Sequence, residues 1–574
     1  MSLKHKKYPL ITSNDFYEKT NELFAKYKIK HKEKVTIKDI CEPKRFTLQM
    51  PQKFLPHYIH PTTPYTGMLV YHKIGSGKTC TAINIAEKWR YIRRTIFVSS
   101  ASLLNNFRKE LRSKCADEQY ISNADREQLE HLHPSDAEYK RIVAESDEKI
   151  DEFYDIYSYN KFIDLLQKNK IFFTNKLLII DEVQNMISES GTYYKTLHDA
   201  IMYAPRDLRV VLLSATPIFD HPIEIALTIN LLRPPVPFPI GKQFAEKFIR
   251  VTKGKDGILK YTVKNMRRFK EMVKGYISYF RGAPPIAFPA ENLKYVKCVM
   301  SDFQYKCYKT VMSKEGPFKS ATDIMTLPNN FFIGSRLLSN IAFPNKSVNK
   351  DGYDSFVDDK LELQNLKTYS IKMYKIFKAV KRSEGPVFVY SNFKEYGGIK
   401  TFVRILEFHG YKNYLEHGQG KRRFAILSGD QTKDEKEEIR NVFNQKKNVD
   451  GSLLKVILGS PATKEGISLL RVKSVHILEP YWNHSRLEQI IGRAVRFCSH
   501  KDLPAAQRVV DIFIYLAVHP DDQQTIDRYI LEIANKKDRI IEQFEMALKE
   551  AAIDCSLNYH ANVYKVDEPI KCMT

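Results

Sequence analysis

Nine short apolar runs, separated by helix-like stretches, set the architecture of this chain. Four lie early: GMLVYHKI (67–74), TIFVSSA (95–101), KLLIIDEV (176–183) and RVVLLSAT (209–216). Five lie late: GPVFVYSNF (385–393), RRFAILSGD (422–430), LLKVILGSP (453–461), VKSVHILEP (472–480) and VVDIFIYLAV (509–518). Most are continuous rather than alternating. A strand with one wet face alternates apolar and polar residues, whereas a strand covered on both faces does not. The pattern predicts an α/β protein with two parallel-sheet lobes.

The stretch between the two groups reads differently. RPPVPFPIG, from Arg233 to Gly241, is proline punctuation, and an aromatic, basic sequence follows it. The expected organisation is a basic N-terminal extension over 1–45, a first lobe over 46–232, and a mainly helical middle segment over 233–361. A second lobe follows over 362–524 and a helical C-terminal tail over 525–574. In that tail Ile526, Tyr529, Ile530, Ile533, Ile540, Ile541, Phe544 and Leu548 recur at helical spacing, which predicts an amphipathic helix packed on the second lobe.

Charge narrows the partner. Lys plus Arg number 91 and Asp plus Glu 67 in 574 residues, a formal net charge of +24. The excess favours a polyanion. No apolar run approaches roughly 18 residues, so a membrane-spanning helix is not expected and nucleic acid is favoured over a membrane. The eight cysteines form no C-x-x-C pair or zinc-finger spacing, which predicts free thiols in a reducing compartment. The first residues, MSLKHKKYPLIT, carry charge without an apolar core, so no secretory signal is expected.

LVYHKIGSGKTCTAINIAEKW reads as strand, glycine turn and helix. Small residues at Gly75, Ser76 and Gly77 let backbone N–H groups close on phosphate oxygens, and the helix N-terminus adds its dipole. Lys78 is placed to reach the β- and γ-phosphates of ATP and Thr79 to bind Mg²⁺. His72 stands where the strict phosphate-loop pattern has glycine. Asp181 and Glu182 follow a buried apolar run, and adjacent carboxylates there are costly unless used or solvated. Asp181 is the expected Mg²⁺ residue and Glu182 the general base. Gln184 can hydrogen-bond toward the γ-phosphate but cannot titrate. Ser214 and Thr216, in an S-A-T-P turn one strand later, can couple the nucleotide site to a moving part. In the second lobe Gln489, Gly492, Arg493 and Arg496 form Q-x-x-G-R-x-x-R. The two arginines, three apart, are expected on one helix face, with Arg496 as an arginine finger and Arg493 beside it.

GSGKT, DEVQ, SAT, KEGISL and QIIGRAVR, in that order, resemble the superfamily 2 helicases across about 420 residues. The resemblance implies two RecA-like lobes that clamp ATP with Mg²⁺. It also implies adenine recognition by Gln52, nucleic-acid contacts at Ser99 and Asn106, and a coupling role for Gly466. In many such proteins histidine occupies the place of Gln184. PTTPYTGMLVYHKIGSGKTC, GYISYFRG, VYSNFKEYGGI, EPYWNHSRLEQIIGRAVRFCSHKDLP and AIDCSLN look like the branch of large cytoplasmic DNA viruses that includes poxvirus nucleoside triphosphatase I and the early transcription factor small subunit. That branch implies a helicase or translocase acting on nucleic acid, DNA more than RNA, in early transcription. The alternative is an initiation or termination factor whose ATPase is a conformational switch. Viral RNA polymerase or a second transcription-factor subunit is the implied protein partner, and the virion and host cytoplasm the implied location.

Overall fold

The computed structural model describes the chain except residues 1–7, 31–34, 189–190, 255–258, 319–323, 325–326, 329, 462–466 and 565–566. All nine apolar runs are strands. The described strands of the first part are β1 (Gly67–His72), β2 (Arg94–Ser99), β3 (Tyr154–Ser158), β4 (Lys176–Ile180), β5 (Arg209–Ser214), β6 (Ile249–Lys253), β7 (Leu259–Val263) and β8 (Ile277–Phe280). Six of them form a parallel sheet in the order β3-β2-β4-β5-β1-β8, and β6 and β7 pair in a separate two-stranded ribbon. Leu177 to Ile180 are fully buried, as are Leu69 and Val70. Helices on both faces remove those side chains from water, which is why the runs lack alternation.

The later strands are β9 (Ala290–Val299), β10 (Val387–Tyr390), β11 (Lys412–Asn413), β12 (Arg423–Leu427), β13 (Val456–Gly459), β14 (Ser474–Ile477) and β15 (Val509–Val518). They form a second parallel sheet in the order β11-β12-β13-β10-β14-β15-β9.

The chain divides into two compact units. One comprises Met1–Thr252, Lys260–Pro284 and Ile540–Thr574; the other comprises Lys253–Leu259 and Pro285–Arg539. This differs from the expected organisation in three ways. The middle segment is not a separate body: β8 is an edge strand of the first sheet and β9 an edge strand of the second. The N-terminal extension is part of the first core, where Phe16, Tyr17, Phe24 and Tyr27 are buried in one cluster with Phe54, Tyr58 and Tyr65. The tail does not pack wholly on the second lobe, because the boundary between units falls inside the helix Ile526–Glu550. From Ile540 onward the tail belongs to the first unit. Phe544 is fully buried there against Phe244 and Phe269, at centroid distances of 5.9 and 5.1 Å. The apolar stripe is continuous along the helix, so its spacing alone cannot say that the partner changes halfway.

The expectation of free thiols also fails. Cys80 pairs with Cys115, and Cys555 with Cys572, each with Cα atoms under 6 Å apart (5.7 and 5.6 Å), while Cys298 and Cys307 are free. Sequence separations of 35 and 17 residues gave no local signature.

Phe544→Ala should destabilise the first unit by about 3–5 kcal/mol, the usual cost of truncating a buried aromatic. Denaturant unfolding followed with a probe on each unit checks this. A loss confined to the second unit would contradict the tail's placement.

Candidate nucleotide site

The loop after β1 begins where the strand's backbone pairing ends: the Lys73 N–H donates to the Phe280 carbonyl at 3.0 Å, and the Ser76 N–H to that of Lys73 at 3.3 Å. Gly75 and Gly77 are left-handed, with φ of 78° and 70°. Gly77 opens the helix Lys78–Trp89, and a Cβ there would stand 2.4 Å from Gln52 Nε2. Only glycine satisfies both the angle and the approach. Gln52 is buried and its amide is engaged at both ends. Oε1 accepts from the Gln49 N–H at 2.7 Å, and Nε2 donates to the Gly77 carbonyl at 3.2 Å. The residue implied to read adenine thus also holds the loop. The Ser76 hydroxyl is buried without a partner among the described residues.

Asp181 and Glu182 stand at the C-terminal end of β4. The Asp181 N–H still donates to the Val98 carbonyl at 2.8 Å, so the acid sits on the sheet's own ladder. Glu182 is left-handed, with φ 48° and ψ 51°. For a residue with a Cβ that conformation costs on the order of 1–3 kcal/mol and persists only where its surroundings enforce it. Tyr159 supplies part of the enforcement: its hydroxyl donates to the Asp181 carbonyl at 2.6 Å and reaches the Glu182 carbonyl at 3.2 Å. Lys78 Nζ lies 3.8 Å from Glu182 Oε1. Burial, and then the neighbouring Glu182 charge, holds the Asp181 carboxyl well above the usual carboxylate range, with Lys78 opposing. Two adjacent acids, one of them 3.8 Å from the Lys78 ammonium, beside a glycine cradle and the half-buried Thr79, fit a divalent cation and a polyphosphate.

Gln184 turns this pair into a chain. Its Nε2 donates to Glu182 Oε2 at 2.6 Å; its Oε1 accepts from the Ser214 hydroxyl at 2.7 Å; Ser214 Oγ accepts from the Thr216 N–H at 3.0 Å. The S-A-T turn therefore reaches Glu182 through an amide whose two ends are a donor and an acceptor at all pH values.

His72 explains its departure from the phosphate-loop pattern. It is the last residue of β1, fully buried, and its side chain turns toward β8 rather than into the loop. Its Nε2 is 2.8 Å from Ser278 Oγ, and Ser278 Oγ donates to Asp554 Oδ2 at 2.6 Å. Because the Ser278 proton goes to Asp554, His72 must donate through Nε2–H and is neutral; burial pushes its imidazole down to about 3. Asp554 Oδ1 accepts from the Tyr279 N–H at 2.9 Å. Asn558 and Asn562 each donate to the Tyr279 carbonyl at 3.2 Å, and Asn562 accepts from the Arg281 N–H. The closing AIDCSLN phrase thus clamps β8. At the end of that strand Gly282 (φ 92°) lies under the loop, where a Cβ would meet the Ile74 carbonyl at 2.8 Å and the Ser76 nitrogen at 3.0 Å. Tyr159, Gly282 and Asp554 carried no local signal of a role at this site.

The remaining predicted residues are placed as follows. Asn106 is exposed on the helix Leu104–Leu111. Ser99 is fully buried at the end of β2, which removes it from contact with a polynucleotide in this conformation. Gly466 lies outside the described residues. In the second unit Gln489 is half-buried on the helix His484–Ile491. That helix stops before the arginines, so Arg493 and Arg496 do not share a helix face. Ala494 and Val495 turn inward, and the Arg493 carbonyl accepts from the Leu469 N–H. The Arg496 guanidinium is half-buried and has no hydrogen bond or ion pair among the described residues; burial lowers its basicity.

Parallel strands, a glycine turn opening a helix after β1, and an acid pair at the end of β4, one strand removed from β1 across β5, are the arrangement of a RecA-like α/β fold. Residues 24–353 match the SNF2-related domain and residues 371–498 the helicase conserved C-terminal domain. The chain is 52% identical over 567 residues to a "Putative ATP-dependent RNA helicase" of Acanthamoeba polyphaga mimivirus, covering 98% of this chain and 99% of that one. It is 25% identical to a "Termination factor NPH-I homolog" of African swine fever virus, over 86% of this chain and 76% of that one. Among solved structures, the Hef helicase domain of Pyrococcus furiosus overlays with a TM-score of 0.41 at 13% identity, covering 88% of this chain and 100% of that one. The chain belongs to the SNF2-related ATP-dependent helicases of superfamily 2, with relatives in large DNA viruses.

Gly282→Ala should lower ATP turnover at least several-fold, because the new methyl presses on the loop, and should cost about 1–3 kcal/mol of stability for its left-handed backbone; steady-state ATPase kinetics on protein shown folded by thermal unfolding separate the two. Asp554 gives a pH signature. Burial pushes its carboxyl up to about 6, against hydrogen bonds from Ser278 and Tyr279. A raised carboxylate favours the protonated form in the fold. Its contribution is therefore complete below the unfolded value near 3.8 and is lost as pH rises through about 6. The difference in unfolding free energy between the wild type and Asp554→Asn should change across that window and be flat above it.

Proposed function

We propose that the chain is a nucleic-acid-stimulated ATPase that translocates on DNA during viral transcription. The observation that carries the reading is Glu182, held in a strained left-handed conformation within reach of both Lys78 and the Gln184–Ser214 chain. Lys78 grips the β- and γ-phosphates. Thr79 and Asp181 hold Mg²⁺, which when bound offsets phosphate charge. Glu182 orients the attacking water and takes its proton. Gln184 passes the position of Glu182 to Ser214 and Thr216, which supports a coupling role for that turn. Arg496, unpaired among the described residues, and Arg493 are the cations assigned to the γ-phosphate when ATP is bound. The basic excess supports polyanion binding.

The African swine fever virus relative, named a termination factor, favours a second reading in which hydrolysis switches a polymerase complex rather than driving movement. Single-stranded DNA, duplex DNA and RNA, tested in parallel for stimulation of the ATPase, separate the readings. Stimulation by DNA that fades as salt is raised is expected for a motor. A rate indifferent to every polynucleotide would remove the motor and leave the switch.

Lys78→Ala should abolish ATP binding and turnover, whereas Glu182→Gln should bind ATP and turn over poorly, since Asp181 remains. Arg496→Lys should lose turnover with ATP capture intact, by up to roughly 10³-fold where it acts as a finger, because a point charge does not reproduce the planar fork. Nucleotide-binding titrations beside turnover check all three.

A further inference from the structure

The two-stranded ribbon and the helices beside it form a surface the ATPase chemistry does not use. The helix Gly241–Phe248 leads into β6, and β7 leads into the helix Met266–Val273. Five cations of the first unit are exposed on this excursion: Lys242, Arg250, Lys260, Arg267 and Arg268. None of the five has an ion pair or side-chain hydrogen bond among the described residues. This is unlike the acid-paired arginines Arg94, Arg108 and Arg112 elsewhere in the unit.

Two features argue against incidental surface charge. Arg267 and Arg268 occupy the first turn of their helix, which contains no acid. The helix dipole is positive at that end and opposes cations, so the fold gives no local reason for them. The ribbon's base is also rigid. Phe238, Phe244, Phe248 and Phe269 are buried together with Phe544, with centroids 5.1 to 6.0 Å apart. The Lys264 N–H donates to the Phe248 carbonyl at 2.8 Å, and Asn265 Nδ2 donates to that of Lys247 at 2.7 Å. In β7 the exposed Lys260 and Thr262 share one face, and Leu259, Tyr261 and Val263 the half-buried other. In β6 all of Arg250 to Lys253 are exposed. A charged ribbon can also serve only to prevent edge pairing. That purpose asks for lysines on the strands, and it does not explain Arg267 and Arg268, since the acid one turn on, Glu271, pairs with Lys274 at 3.9 Å instead.

The geometry points to this basic ribbon as a second contact surface for duplex DNA, held by the phosphodiester backbone and separate from the motif residues. A two-stranded ribbon fits the width of a B-form major groove, and flanking cations then face phosphates on either side. Five unpaired charges on a rigid base lose little entropy on contact, and each phosphate neutralised releases counterions. The ribbon supplies affinity without base recognition, as suits a protein that moves along its substrate.

This rests on the nucleic-acid reading above, and the test separates the two. The full chain carrying Arg250→Ala with Lys260→Ala, and a second variant carrying Arg267→Ala with Arg268→Ala, are titrated with short duplex DNA, single-stranded DNA and RNA at several salt concentrations. Each pair should weaken duplex binding roughly ten-fold at moderate salt and reduce the slope of log K against log salt by about 2. ATPase activity without nucleic acid should be unchanged, since no ribbon residue touches the nucleotide site. The charge-conserving Arg250→Lys with Lys260→Arg should retain wild-type binding. Wild-type binding to duplex with unaltered affinity and slope in both variants would overturn the ribbon assignment alone. A loss confined to single-stranded DNA or to RNA would overturn it as well. A wild-type chain that binds no polynucleotide would overturn the motor reading together with it.

Discussion

The first unit depends on a carboxylate that never meets substrate. Asp554 is fully buried and accepts hydrogen bonds from the Ser278 hydroxyl and the Tyr279 N–H. Through Ser278 it sets the tautomer of His72 at the end of β1, and through β8 it sets the height of Gly282 under the phosphate loop. An edge strand of four residues has little apolar area of its own with which to fix its register. Side-chain bonds to its backbone do that instead. Such bonds are strong in a dry interior and expensive to break, because each partner left behind is a buried polar group without a mate.

This arrangement also explains what the sequence could and could not reveal. Strands buried on both faces announce themselves by composition, so β1, β2, β4, β5, β10 and β12 to β15 were legible. Edge strands pair along one side only, and here they carry mixed residues. β9, reading AENLKYVKCV, is exposed along most of its length and looks like loop or hairpin until its ten-residue pairing with β15 is known. β8 hides within the aromatic phrase GYISYFRG, and β3, reading YDIYS, is only partly buried beyond Tyr154.

The nucleotide site was legible in proportion to how local its chemistry is. Gly75 to Thr79 lie on one turn, and Asp181 and Glu182 on another, so residue type and spacing suffice. Tyr159, Gly282 and Asp554 act through backbone groups 22 to 275 residues away, a distance no short motif encodes. The arginine pair shows the opposite error. A spacing of three suggests one helix face, yet the helix His484–Ile491 ends before both arginines, and the buried Ala494 and Val495 lie on the non-helical turn between them. The cysteines follow the same rule: proximity across 35 residues is a tertiary fact.

One stretch of tail supports both the catalytic loop and the basic ribbon. Phe544 closes the aromatic cluster beneath β6 and β7, and ten residues later Asp554 closes the polar network beneath β8. Between them, Glu550 pairs with Lys270 at 3.0 Å and the Ala551 carbonyl accepts from Tyr17 Oη at 2.8 Å. The two anchors differ in kind. The aromatic one is a matter of area and tolerates small shifts, since dispersion and apolar burial fall off gradually. The polar one is directional, and an ångström of movement breaks it. A displacement of the tail would therefore reach the phosphate loop before it loosened the ribbon. The loop is the more exacting of the two, because its glycines already sit within contact distance of Gln52 and, through Ile74 and Ser76, of Gly282. Placing the directional anchor under the loop and the forgiving one under the ribbon matches the precision each surface needs: sub-ångström placement for phosphate chemistry, and only charge and reach for contact with a polymer backbone.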